Sequence, residues 1–269
     1  MSRPNDGMNA WRFVRGTSCL VVAAYLLAPL AIVVIISFSS APFLQFPPPA
    51  LSLRWYANLF GDAGWTSSLL VSFEVLVPSA LLATVLGTAA AYALIRGSVP
   101  GASVIQACLM LPILVPGIIT AAALFGVFRG LGLNGTLTGL VIGHTVLTLP
   151  YVVATVGAAL RSLDPRLEAA ASTLGAHPWV AFRRVTLPLL APGVLSGLLF
   201  AMVVSFDELI VSLFVSTARV RPVPVQMWSN LRGDFDPTIA AIATICFLFA
   251  LAALLLDAAL RRQTRSSAP

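Results

Sequence analysis

Six segments of this chain, residues 19–38, 69–95, 103–128, 135–160, 189–216 and 239–260, are apolar with few polar interruptions. About 20 consecutive apolar residues cover the hydrocarbon core of a bilayer as a helix, so each segment is long enough to cross. Strict alternation of apolar and polar residues is absent from them. That excludes a transmembrane barrel and predicts an all-α, polytopic membrane protein with six transmembrane helices. A water-facing alternative fails on charge. Only 10% of the 269 residues are charged and 58% are hydrophobic, against about 25% charged in soluble domains.

The spans divide the chain into a tail (1–18), a first span (19–38), a loop (39–68), a five-helix core (69–260) and a second tail (261–269). Arg3, Arg12 and Arg15 precede the first span as in a signal peptide. Its apolar run exceeds the roughly 7–15 residues of a cleavable segment, so it reads as an uncleaved span. Pro29, Pro78, Pro112, Pro116 and Pro150 lie within spans, where neighbouring groups can satisfy the carbonyls that a kink frees. With the N-terminus inside, the inner segments carry 11 Arg and the outer loops 5. The positive-inside rule then places both termini in the cytoplasm. In the outer loop 39–68, LRWYANLF reads as an amphipathic helix for the membrane interface.

All 16 basic residues are Arg. A phosphate-binding P-loop needs Lys, so any ATP-driven work falls to a partner chain. The Arg residues are scattered over tails and loops and form no basic face, which excludes nucleic acid as a partner. Cys19, Cys108 and Cys246 sit in apolar stretches without C-x-x-C spacing and read as small buried hydrophobes. His144 and His177 are far apart, and no hydrolase or metalloprotease signature is present. The sequence therefore predicts no catalytic residue and no metal site.

The most patterned polar stretch is internal: DPRLEAAASTLGAHPWVAFRRVTLP, residues 164–188, within the loop 161–188 between spans four and five. Asp164 suits an N-cap and Pro165 the first helical position. Helix runs through RLEAAASTL, and Gly175 ends it as the C′ residue. HPWVAFRRV restarts a short helix, and Leu187-Pro188 then turns the chain back into the bilayer. Ala170, Ala171 and Leu174 allow close approach, Trp179 and Phe182 are apolar anchors, and Arg183 and Arg184 can meet carboxylates or lipid phosphates. Two readings fit: a helix–turn–helix that docks in a groove on another protein, or an interfacial pair lying on the membrane.

The loop resembles the coupling motif of binding-protein-dependent ABC importer permeases, E-A-A-x3-G-x9-I-x-L-P. Gly175, nine residues, then Val185-Thr186-Leu187-Pro188 reproduce the second half, with Val for Ile. Counting back from Gly175, the motif's Glu falls on Ala169, followed by Ala170 and Ala171, whereas Glu168 stands one residue earlier. LPILVPGII, GHTVLTLPYVV, SFDELIVSLF and PVPVQMWSNLRGDFDPTIAAIATI are similar to the polyamine (spermidine/putrescine) branch of that family, second permease subunit. The resemblance implies a type I (MetI-like) permease fold in a bacterial inner membrane, with loop 39–68 periplasmic. It implies as partners a second permease subunit, an ATP-binding subunit in two copies, a periplasmic substrate-binding protein and membrane lipid. ATP then binds the partner ATPase, and this chain needs no cofactor of its own. The coupling residues it implies are Glu168, Ala169, Ala170, Ala171, Gly175, Ala176, Leu187 and Pro188.

Ionisable residues at bilayer depth cost about 2.5–3.5 kcal/mol on insertion scales, so they face protein or a water-filled path. Glu74 lies in span two, His144 in span four and Asp207-Glu208 near the middle of span five. On a continuous helix the adjacent carboxylates point about 100° apart, so at most one faces a narrow path directly. Beside the resemblance, paired carboxylates suit a cationic substrate, and Asp207, Glu208, His144 and Glu74 are the pathway candidates. Each also has a structural reading, as partner to an Arg, a backbone group or a packed neighbour. Asp257 reads as an i,i+4 partner of Arg261, and Asp236-Pro237 as the cap of the last span.

The resulting expectation is a permease subunit that forms half of a translocation pathway for polyamines. One alternative keeps the machinery and changes the cargo to an amino-acid-like or phosphonate compound. An ion-coupled secondary transporter would carry inverted repeats and intramembrane charge relays, and an intramembrane enzyme would need paired catalytic or metal-ligating residues.

Overall fold

The computed structural model describes residues 6–233 and 236–266, with side chains for 11–233 and 236–259. Its regular elements are helices: α1 Asp6–Ser37, α2 Arg54–Gly61, α3 Ala63–Arg96, α4 Ala102–Leu114, α5 Gly117–Gly130 and α6 Leu137–Ser162. There follow α7 Arg166–Thr173, α8 Pro178–Ala181, a π-helical turn Phe182–Thr186, α9 Leu187–Phe206, α10 Ile210–Val215, α11 Val223–Arg232 and α12 Thr238–Ser266. Helices α1 and α12 run on into the segments that the sequence assigns to the tails.

Five helical stretches among the described residues are long and apolar enough to cross a membrane: Trp11–Ser37, Ala63–Arg96, Leu137–Ser162, Pro178–Phe206 and Thr238–Ala259. The sixth expected span, 103–128, is instead the pair α4 and α5, bent by 106°. Proline causes the bend. Pro116 has no N–H and pushes Val115 before it out of the helical region, to φ −82° and ψ 133°. Pro116 is itself extended at ψ 131° before α5 begins.

Two units divide the described chain. The first comprises the N-terminal part through Asp62 together with Asn230–Phe247. In it α1 is exposed along most of its length, with Tyr25 at 78%. An all-round apolar helix of this kind suits lipid or another membrane chain. The loop after α1 closes through an antiparallel bridge between Ser39 and Leu51, with the Ser52 N–H donating to the Phe38 carbonyl at 2.7 Å. Helix α2 forms where LRWYANLF predicts it; Trp55 and Leu59 are buried, and the Arg54 guanidinium lies 4.4 Å from the Trp55 ring centroid. Asp236 caps the last helix, accepting from the Thr238 N–H at 3.0 Å.

The second unit holds Ala63–Ser229 and the rest of α12. Its core is the contact of α3, α6 and α9, built from Ala80, Ala83, Ala91, Val152, Val156, Leu160, Leu190 and Ala201. Small residues let these backbones approach; a Cβ on Gly193 of α9 would stand 2.4 Å from the Ala159 Cβ of α6. A second cluster, including Val75, Ala121, Phe128, Leu140, Val211 and Val215, packs α5 and α10 against α3 and α6.

Several expectations change. Leu187-Pro188 makes no turn: Pro178–Phe206 is one helical run, and the π turn widens it just before Pro188. There Leu187 donates to the Phe182 carbonyl, five residues back. That widening accommodates a ring that would otherwise clash with the carbonyl four residues earlier. Span five is not one helix through residue 216, because α9 stops at Phe206 and α10 starts at Ile210. Cys19 and Cys108 are exposed and Cys246 half-buried; the apolar exterior of a membrane helix takes such residues as readily as a core. Asp257 accepts a hydrogen bond from the Ser196 hydroxyl of α9, while the Arg261 side chain lies outside the described residues. Helix α11 was not expected.

Candidate functional site

Two places gather the residues singled out by the sequence. The first is the connection between α6 and α9. Asp164 caps α7 by accepting from the Arg166 N–H at 2.9 Å, and Pro165 already has helical dihedrals, φ −63° and ψ −19°. At the other end Gly175 has φ +82°, a left-handed conformation that glycine adopts without a Cβ penalty. The Gly175 N–H donates to Ser172 O at 3.0 Å and the Ala176 N–H to Ala171 O at 3.1 Å, the paired bonds of a Schellman cap. His177 then caps α8, its Nδ1 accepting from the Trp179 N–H at 3.3 Å. Ala169, Ala170, Gly175 and Pro188 are exposed; Ala171, Ala176 and Leu187 are half-buried. Leu174 is 88% and Trp179 62% exposed. With Val180, Arg183 and Arg184, Trp179 lines a shallow cleft of about 300 Å³.

Glu168 behaves differently from its neighbours. Its Oε1 accepts from the Thr186 hydroxyl at 2.8 Å and its Oε2 from the Tyr92 hydroxyl at 3.2 Å. Arg96 Nε stands 3.5 Å from Oε1, a charge contact and not a hydrogen bond. The Arg96 Nη2 donates to the carbonyls of Leu160 at 3.2 Å and Leu163 at 2.7 Å, satisfying groups that the end of α6 leaves open.

The second place is the interruption of span five. Asp207 follows α9 with φ −91° and ψ 1° and is exposed. Glu208 is half-buried, and its Oε1 accepts from the Val211 N–H at 2.8 Å. It therefore caps α10, a favourable position for a carboxylate at the positive end of a helix. His144 is buried at 2% exposure. Its Nδ1 pairs with the Ser205 hydroxyl and its Nε2 with the Ser212 hydroxyl, both at 2.9 Å. Ser205 also pairs with Ser79 of α3 at 3.0 Å. One imidazole thus ties α6 to both sides of the break, and α3 joins through Ser79.

Asp207 and Glu208 consequently do not sit on a continuous helix; one ends α9 and the other starts α10. Glu74 is exposed on α3, and among the described residues no hydrogen bond or ion pair joins it to Asp207 or Glu208. Tyr92, Arg96, Thr186, Ser79, Ser205 and Ser212 are the members that sequence reasoning missed. Arg96 alone carried a signal, being the single basic residue on the inner side between spans two and three, at the end of α3.

Apolar helices long enough to cross a membrane, one bent pair, a capped polar helix–turn on one connection and polar side chains gathered at a mid-span break are the features of a polytopic membrane component. Residues 83–266 match the model of the family "Binding-protein-dependent transport system inner membrane component", and the chain belongs to that family. It is a multi-pass inner-membrane permease subunit. It is 31% identical to the spermidine/putrescine transport system permease protein PotC of Haemophilus influenzae, covering 93% of this chain and 97% of that one. It is 32% identical to the putrescine transport system permease protein PotI of Escherichia coli K12, over 87% and 85% of the two chains. Its fold is similar to that of a bacterial ABC transporter involved in alginate import, with a TM-score of 0.71, 16% identity, and 97% and 98% coverage.

Proposed function

We propose that this chain is one of two permease subunits of an ATP-driven importer of polyamines such as spermidine and putrescine. A periplasmic binding protein delivers the substrate, and two copies of a separate ATPase drive the cycle from the cytoplasm, where both termini lie. The observation that carries the cargo is the identity of 31% and 32%, over most of each chain, to permeases named for spermidine and putrescine. Chemistry at the break in span five supports it. Asp207 is exposed there at the depth of an apolar segment, where an unpaired carboxylate is costly unless it faces water or a cation.

The two carboxylates divide the work in this reading. Asp207 faces the translocation path and meets an ammonium group of the substrate, while Glu208 holds α10 in place. His144 is a clamp and not a pathway ligand, and Glu74 lies outside the path. The exposed face of the 164–188 connection receives the ATPase, with Leu174 and Trp179 as apolar anchors and Arg183 and Arg184 at the rim. This supports the docking reading over an interfacial pair. Movement there biases a two-state membrane element between outward and inward access.

The test is uptake of labelled spermidine into proteoliposomes holding this chain, its partner permease, its ATPase and its binding protein. Uptake is expected to require ATP and the binding protein, and excess unlabelled putrescine is expected to compete. Uptake driven by an ion gradient without the ATPase would overturn the reading. ATP-driven uptake of an amino-acid-like or phosphonate compound in place of spermidine would overturn the cargo.

A further inference from the structure

Helix α7 has eight residues, none of them buried. A helix this short is marginal on its own, and a segment that must convey a push cannot be allowed to fray. What stiffens it is visible at one residue. Glu168 stands one position before the motif's Glu, about 100° around the helix from Ala169. That offset turns it away from the exposed side, where Ala169 and Ala170 lie, towards the chain's own helices. Both of its oxygens are occupied there, Oε1 by Thr186 at 2.8 Å and Oε2 by Tyr92 at 3.2 Å, with Arg96 at 3.5 Å.

The partners of Glu168 are themselves anchored. Tyr92 meets Phe182 of the π turn edge-on, with ring centroids 4.7 Å apart, and Phe182 stacks on Trp179 at 5.6 Å. Arg96 holds the end of α6 through two carbonyls. The carboxylate thus joins α7 to the ends of α3 and α6 and to the π turn that leads into α9. These three helices form the core of the unit.

We infer that Glu168 is a positioning residue, an intrachain latch that makes α7 move as one body with α3, α6 and α9, and not a contact to the ATPase. The role rests on the reading that 164–188 receives the partner's push. Ala169, at the motif position, leaves the docking face apolar, so docking relies on Leu174, Trp179 and the two Arg.

The chain has no Lys, so trypsin cuts it only after Arg, and cleavage after Arg166 in the full-length chain in lipid nanodiscs reports opening of α7. Ala favours helix at least as well as Glu. Beyond the modest gain that a first-turn carboxylate has from the helix dipole, which is independent of Tyr92 and Thr186, Glu168→Ala therefore weakens α7 by removing the latch. It is expected to raise the cleavage rate about tenfold, equivalent to ~1.4 kcal/mol. Tyr92→Phe and Thr186→Val raise it less, and adding either to Glu168→Ala gives no further increase, as expected of one network. Glu168→Gln keeps an accepting oxygen and stays nearer wild type. An unchanged rate for Glu168→Ala, or double variants whose effects multiply, would overturn the latch. In the reconstituted importer, Glu168→Ala is expected to lower substrate moved per ATP hydrolysed while the ATPase stays bound. Release of the ATPase, with wild-type proteolysis of the isolated chain, would assign Glu168 to the partner's surface and overturn the inference. The proteolysis needs neither cargo nor ATP, so a failure of the importer reading is distinguishable from a failure of the latch.

Discussion

The break between α4 and α5 and the break between α9 and α10 interrupt apolar segments of similar length, but by different means. At the first, Pro116 removes a donor and forces Val115 into extended backbone, and the helices part by 106°. Covalent structure removes that donor whatever the surroundings. At the second no proline is present. The interruption over 207–209 is held by side chains: Glu208 capping α10 at 2.8 Å, and His144 reaching Ser205 and Ser212 at 2.9 Å each. A bend built by proline is fixed, whereas one built by hydrogen bonds can be remade during a transport cycle. The carboxylates lie at the second.

Removing the clamp should have the largest effect. His144→Ala leaves a cavity and takes a partner from two serine hydroxyls, of which Ser205 keeps Ser79, and about 2–4 kcal/mol of stability is expected to be lost. Thermal unfolding of the chain in nanodiscs measures it; an unchanged midpoint would mean that the second break does not depend on His144. Next comes the cap. Glu208→Leu frees the first turn of α10 and should cost about 1 kcal/mol, while Glu208→Gln, which still accepts from Val211, should cost less. Equal losses for the two would mean that charge and not capping matters there. Smallest is Pro116→Ala, which changes stability by about 0.4–1 kcal/mol, chiefly through the unfolded chain. Spin labels on α4 and α5 should nevertheless show the 106° angle opening towards a straight helix. An unchanged angle would place the cause of the first break in its packing, as at the second.

The same contrast decides what the sequence revealed. Proline and caps act locally, so the Asp164 and Gly175 caps, the Asp236 cap and the bounds of span four, Leu137–Ser162 in the structure, were legible within a few residues. The size of the bend at Pro116 was not, since transmembrane helices often carry proline with only a kink. The break at 207–209 was hidden because SFDELIVSLF contains no residue that forbids helix; one of the groups that hold it, His144, is 61 residues from Ser205 in sequence. Glu168 was visible as an offset of one position, but its partners Tyr92 and Thr186 lie 76 and 18 residues away. Leu187-Pro188 misled in the opposite direction, because a π turn absorbed a proline that reads as a stop. Helix α11 was missed behind Pro222 and Pro224, although a proline in a first turn is itself a start signal.

The most direct test of the account concerns the two adjacent carboxylates, which it assigns to different tasks. The measurement is the KM for spermidine uptake in the reconstituted importer carrying Asp207→Asn, taken together with the thermal midpoint of the same variant. Loss of a charged hydrogen bond to the cation, worth about 1.5–3 kcal/mol, predicts a KM raised by about tenfold or more with the midpoint unchanged. A wild-type KM in a fully assembled Asp207→Asn importer would contradict it.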